Sequence, residues 1–189
     1  MNRPARAEPP PSANGGHEEA WVWTGLLLAA AVFVGLGMVG RAWLPAAGKP
    51  LEPPWFRTAD TLFAAVDALG AAGRSQHRIG VLTLDTLIPL TYGWALFLAA
   101  RFYLHRLGAP ASLRTLRWLP VVAMLCDFAE NACIVTLLGA HPARPTTVAS
   151  ALLVFSWTKW LLLASTVAGI LAGWILLRLR RPSTRSQAL

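Results

Sequence analysis

Four long apolar segments constrain the fold of this chain more than any other feature of its sequence. They cover about residues 21–43, 79–104, 116–138 and 148–177, and a helix of about 20 residues is enough to cross the hydrocarbon core of a bilayer. Of the 189 residues, 55% are hydrophobic and only 14% are charged, which is typical of membrane proteins. Backbone groups inside a bilayer must be hydrogen-bonded internally, so we predict an all-α fold, an integral membrane four-helix bundle over residues 21–177.

Three further segments complete this prediction. Residues 1–20 contain Pro, Gly and Glu without periodicity, and residues 178–189 are basic, so we predict two disordered tails. The loop after the first span contains an amphipathic stretch, about residues 59–69, with Thr58 as its N-cap and Gly70 at its end. We predict that this stretch is a short helix in the first extracytoplasmic loop, lying on the membrane or capping the bundle.

The distribution of basic residues predicts the orientation. Four spans place both termini on one side, which carries ten Lys and Arg residues against six on the other side. Because Lys and Arg are enriched on the cytoplasmic side, we expect both termini in the cytoplasm and the chain in a bacterial inner (plasma) membrane. The Lys and Arg residues that set this orientation then account for the net charge of +8. No nucleic-acid recognition motif accompanies that charge, and we predict no nucleic-acid partner.

The third span contains an unusual polar run. Asp127, Glu130 and Asn131 share one helix face within an otherwise apolar segment. Ionisable groups at this depth cost about 2.5–3.5 kcal/mol each on insertion scales, so they usually face partners or a cavity. At a rise of about 1.5 Å per residue, Lys159 of the fourth span reaches a similar depth. We therefore predict that Lys159 pairs with Asp127 or Glu130.

The second span contributes a further polar face. Asp85, Pro89 and Tyr92 lie within a narrow arc of the helix, at depths comparable with those of the polar groups in the other two spans. Pointing the three faces inward brings the polar side chains of three helices together. The predicted site, a ligand-binding or purely structural polar centre, consists of Asp85, Tyr92, Asp127, Glu130, Asn131 and Lys159.

The formal charge of this predicted site is unbalanced. Three carboxylates and one ammonium leave a surplus of two negative charges in surroundings of low dielectric. We expect a proton or a bound cation to balance the surplus, or else a basic residue from the long loop. The candidate residues in that loop are Arg74, His77 and Arg78.

The sequence leaves four classes of function open. We favour a small membrane protein, surrounded by membrane lipid, whose polar centre opens toward the outer face and binds a lipid-like or cationic small molecule. The alternatives are a proton- or ion-coupled transporter or channel subunit, a membrane-embedded enzyme with Asp127 and Glu130 as acid and base on a lipid substrate, and an assembly subunit whose charges form a purely structural lock. A homo-oligomer is also open.

The sequence shows no catalytic motif, so the catalytic residues, if the chain has any, are unknown. The sequence contains no HExxH, Gly-x-Ser-x-Gly, phosphate-binding glycine-rich loop or CxxC motif. Its four histidines lack the spacing of metal ligands. We therefore predict no metal site and no cofactor, and whether the protein is an enzyme stays open.

Overall fold

The computed structural model describes residues 15–44, 46, 51 and 58–180, and over these ranges the chain forms helices and no β-strand. Four helical segments are long and apolar enough to cross a membrane. The predicted all-α four-helix bundle is therefore confirmed. The helices are α1 (Gly15–Trp43), α2 (Ala59–Ala68), α3 (Gly70–Arg106), α4 (Ala111–Arg114), α5 (Leu119–Ala140) and α6 (Thr146–Leu179), with a 3-10 helix at Thr115–Trp118 before α5.

The helices extend beyond the predicted spans. α1 begins at Gly15, so residues 15–20 are helical rather than part of a disordered tail. Residues 70–78, which we predicted to be loop, form the first turns of α3. They are too polar to be recognised as membrane-spanning, but Ala, Arg and Gln are good helix formers. The parts of the predicted tails that lie outside the described residues are 1–14 and 181–189.

The four long helices do not contribute equally to the bundle. α5 packs along both α6 and α3, and α3 also contacts α6, so these three helices surround the core. α1 packs mainly against α3 and stays at the periphery. Its side chains Leu27 and Phe33 are more than half exposed, and in a membrane they would contact lipid.

The two ends of the bundle differ. We call the end with α2 and the turn between α5 and α6 the loop end, and the opposite end the termini end. At the loop end, Leu62, Phe63 and Val66 of α2 are buried in an apolar cluster with side chains of α3, α5 and α6. α2 thus corresponds to the predicted loop helix and caps the bundle.

Both predicted boundaries of α2 are observed. The Thr58 hydroxyl oxygen accepts a hydrogen bond from the backbone N–H of Thr61 (3.4 Å), which is the role of an N-cap. Gly70 has a φ of +63°, a left-handed conformation that glycine adopts without steric cost. This turn redirects the chain from α2 directly into α3.

Candidate functional site

The polar centre is built around Lys159, in the middle of α6. Its Nζ lies 2.9 Å from Oδ1 of Asp127 and forms a second ion pair with Oε2 of Glu130. The two carboxylates stand one turn apart on the face of α5 that packs against α6, and all three side chains are buried, Glu130 completely. The prediction that Lys159 pairs with Asp127 or Glu130 is confirmed, and the lysine pairs with both.

Asp127 connects all three core helices. While its Oδ1 accepts from Lys159 on α6, its Oδ2 accepts a hydrogen bond of 2.8 Å from the hydroxyl of Tyr92 on α3. The structure therefore brings Tyr92 into the predicted site. The depth of Tyr92 along α3 did not specify this partner.

Asp85 and Asn131 meet through a backbone atom. The side-chain amide of Asn131 donates to the main-chain oxygen of Asp85 over 3.5 Å. Within a helix, this oxygen would normally accept from the backbone N–H of residue 89, four positions later. Residue 89 is a proline, which has no N–H. Asn131 therefore replaces the missing donor, and the four-residue spacing from Asp85 to Pro89 is the sequence signal for this contact.

The basic residues expected to come from the long loop lie within α3 instead. His77 is buried, only 8% exposed. A Cβ on Gly139 would lie 4.0 Å from the Arg78 guanidinium, which places this arginine beside the last turn of α5, at the loop end. These residues are thus part of the bundle itself, because α3 begins earlier than the hydropathy of the sequence indicated.

Two buried oxygen atoms at the centre have no hydrogen-bond partner within the described part of the chain. They are Oδ1 of Asn131 and Oγ of Ser156. Asn131 follows Glu130 on α5, and Ser156 lies one turn before Lys159 on α6. A buried polar atom without a partner costs about 1–3 kcal/mol. These two oxygen atoms can therefore each accept a hydrogen bond from an additional donor.

Apolar layers enclose the polar centre on both sides. Toward the termini end, Ala99, Ala100 and Ala123 are buried. Toward the loop end, Ile134 and Leu152 belong to the cluster that α2 completes. In this conformation the side chains of α2 cover the loop end of the polar centre, which is the end where we predicted the centre to open.

The buried oxygen atoms at the centre that have no partner among the described residues belong to neutral groups. Among the residues that the structure describes, no group of three or more His, Cys, Asp or Glu side chains could hold a metal ion. Asp127 and Glu130 both pair with Lys159, and the unsatisfied oxygens at the centre belong to an amide and a hydroxyl. Neutral oxygens of this kind accept readily from N–H groups.

No family model matches this chain, and neither the curated proteins nor the solved structures contain a significant match to it. The function is therefore inferred from the geometry of the polar centre alone.

Proposed function

We propose that this protein is a small membrane protein that binds a cationic, lipid-like molecule at its polar centre. The observation that carries the proposal is that one buried ammonium, on Lys159, is shared by two buried carboxylates, Asp127 and Glu130. The formal charge of this trio is one negative in apolar surroundings. Buried charge is costly unless it is paired, and a second cation would balance the trio.

The hydrogen bonding of the site supports a particular class of cation. Oδ1 of Asn131 and Oγ of Ser156 are buried acceptors without partners among the described residues. A primary ammonium carries three N–H donors, whereas a quaternary ammonium carries none. The side chains around the centre are apolar, which suits a hydrocarbon tail. The ligand we propose is an amphiphile with a primary ammonium head.

The contacts of α2 support access from the loop end. The helix is tied to the turn between α5 and α6 by Asp67, whose carboxylate lies 2.7 Å from Nη2 of Arg144 and 3.1 Å from Nε2 of His141. Arg144 is 62% exposed, and exposed ion pairs contribute only about 0–1 kcal/mol. Displacement of α2 around Gly70 would uncover the polar centre, and its main cost is the exposure of Leu62, Phe63 and Val66, because the ion pairs contribute little.

The packing toward the termini end favours binding over transport. A path through the protein would need polar groups on both sides of the centre. Most buried side chains on that side are apolar, among them Ala99, Ala100 and Ala123. The buried polar side chains there are Tyr103 of α3 and Thr166 of α6, and the Thr166 hydroxyl donates to the backbone of its own helix. This arrangement agrees with a site that a ligand enters and leaves from the loop end.

Thermal unfolding of the purified protein tests the proposal. We expect dodecylammonium to raise the Tm, dodecyltrimethylammonium to raise it less, and a zwitterionic dodecyl detergent to leave it unchanged. Asp127→Asn removes the surplus negative charge and should weaken dodecylammonium binding about tenfold or more, the range of a charged hydrogen bond. Lys159→Met removes the ammonium, which makes the net charge of the site more negative, and it should strengthen dodecylammonium binding. Asp60→Asn, which neutralises an exposed carboxylate on α2, is the matched control.

The purely structural role gives a different result in the same series. It predicts that Asp127→Asn and Lys159→Met both lower the Tm in the absence of added amphiphile. It also predicts equal responses of every variant to all three amphiphiles. That outcome would refute ligand binding and identify the trio as a lock between α5 and α6.

We also propose that both termini face the cytoplasm across a bacterial inner membrane. The excess of Lys and Arg on the side of the termini supports this orientation. A fluorescent protein that matures only in the cytoplasm should be bright when fused to the C-terminus. Alkaline phosphatase should be active when inserted between α5 and α6. The reverse pattern of the two reporters would contradict the orientation without affecting the ligand proposal.

A further inference from the structure

A second feature lies far from the polar centre, at the termini end. A groove of about 410 Å³ runs between the first turns of α1 and the last turns of α3. This volume lies within the range of small-molecule sites. One part of the groove is apolar and the other is charged, so its lining indicates the chemistry of an occupant.

The apolar part of the groove faces outward from the bundle. Its lining includes Trp21 and Leu98, which are 69% and 41% exposed. In a protein embedded in a bilayer, outward-facing apolar surfaces contact lipid. Trp is also enriched where a spanning helix meets the headgroup region. The molecule with access to this groove is therefore a membrane lipid.

The charged part of the groove carries a surplus of positive charge. Arg101, His105 and Arg106 line it from the last turns of α3, and Glu18 lines it from α1. With His105 neutral, these side chains sum to one positive charge. Basic pockets between spanning helices bind anionic headgroups.

The arginines are available for a headgroup. Arg101 is exposed, and no ion pair or hydrogen bond joins its side chain to another residue in the described ranges. The guanidinium of Arg106 stands over the ring of Phe102, 5.6 Å from its centroid, which orients it beside the groove. Guanidinium groups bind phosphate with paired hydrogen bonds.

We propose that this groove binds an anionic phospholipid, with the phosphate between Arg101 and Arg106. One acyl chain would lie against Trp21 and Leu98. Glu18 stands on the opposite wall and would accept a hydrogen bond from a headgroup hydroxyl. Phosphatidylglycerol, which combines a phosphate with two hydroxyls and a net negative charge, matches all three parts of the lining.

Native mass spectrometry of the full chain with added phospholipid tests this site. We expect bound phosphatidylglycerol in clear excess over phosphatidylethanolamine with the same acyl chains. An arginine near a charged lipid surface contributes about a fivefold change in binding. Arg101→Gln combined with Arg106→Gln should thus lower phosphatidylglycerol binding more than tenfold and leave phosphatidylethanolamine binding unchanged. Arg114→Gln removes an exposed guanidinium from α4, outside the groove, and should change neither.

A second variant keeps the test decisive if the double arginine variant folds poorly. Glu18→Gln changes an exposed side chain at the start of α1 and removes the negative charge facing the headgroup. It should reduce the preference for phosphatidylglycerol over phosphatidic acid, because an amide oxygen accepts a weaker hydrogen bond from a headgroup hydroxyl than a carboxylate does. Equal binding of both lipids by the wild-type chain, or equal effects of Arg101→Gln and Arg114→Gln, would overturn the proposal.

Discussion

At the residue scale, the polar groups of the centre contact groups on other helices. Asp127 accepts from Tyr92 on α3 and from Lys159 on α6, and Asn131 donates to the backbone of Asp85. In lipid, apolar side chains gain little by moving from lipid to a neighbouring helix, so packing and interhelical hydrogen bonds direct association. Side-chain hydrogen bonds of the polar centre thus join α3, α5 and α6 to one another.

The contact between Asn131 and the Asp85 oxygen should depend on Pro89. Asn131→Ala removes the side-chain donor to this oxygen and should cost about 0.6–2 kcal/mol in the free energy of unfolding. In a Pro89→Ala background, the new backbone N–H can bond to the same oxygen, so Asn131→Ala should cost much less. A double-mutant cycle measured by detergent unfolding checks this coupling. Leu90→Ala, a lipid-facing change beside the proline, is the control background. In the Leu90→Ala background, Asn131→Ala should keep its full cost in the free energy of unfolding. Equal costs of Asn131→Ala in all backgrounds would contradict the role assigned to Pro89.

At the scale of the elements, one close approach determines how α3 and α6 meet at the termini end. A Cβ on Gly173 would lie 2.9 Å from Cβ of Tyr103, a distance that requires something to shift. Tyr103 is itself buried at 2% exposure, in an apolar cluster with Ala99, Ala100 and Ile170. The two backbones can therefore approach here because residue 173 has no side chain.

Substitution of Gly173 should separate these helices. We expect Gly173→Ala to lower the free energy of unfolding by about 1–3 kcal/mol, as overpacking of a closely packed site does. Gly169→Ala is the matched control, because nothing lies within 4 Å of its position. The control should be neutral, or stabilising by up to about 1 kcal/mol through helix propensity. Equal effects of the two substitutions on the Tm would show that the approach at Gly173 is not limiting.

The attachment of α2 should respond to its surface ion pairs. Asp67→Asn weakens the contacts with Arg144 and His141. A loss of up to about 1 kcal/mol corresponds to at most about fivefold faster amide exchange in α2, with no change in α5 or α6. Hydrogen–deuterium exchange measured by mass spectrometry resolves these helices. Asp60→Asn on the same helix should leave the exchange unchanged, and a uniform effect across the bundle would mean that α2 does not open separately.

At the scale of the whole molecule, the exterior is adapted to lipid. Large apolar side chains are exposed on all four long helices, among them Met38 on α1, Leu82 on α3, Leu125 on α5 and Leu161 on α6. We predict that the full chain stays in the membrane fraction after an alkaline carbonate wash and is released only by detergent. A soluble, peripheral protein is the control. Release by carbonate would be incompatible with four spanning helices.

The sequence by itself determined the four spans and the layer in which the polar side chains lie. Hydropathy acts along the chain, and the constant rise of a helix converts residue number into depth. Thr58 and Gly70 likewise identified the ends of α2, because capping and left-handed turns are local chemistry.

Only the tertiary structure decided which polar atoms meet. Lys159 pairs with both carboxylates, Tyr92 donates to Asp127, and the backbone oxygen of Asp85 accepts from Asn131. These choices depend on the rotation of each helix about its axis and on which helices are neighbours, and helical periodicity specifies neither. The peripheral position of α1 and the closure of the loop end by α2 are likewise properties of packing, because they depend on surfaces that meet only when the chain has folded.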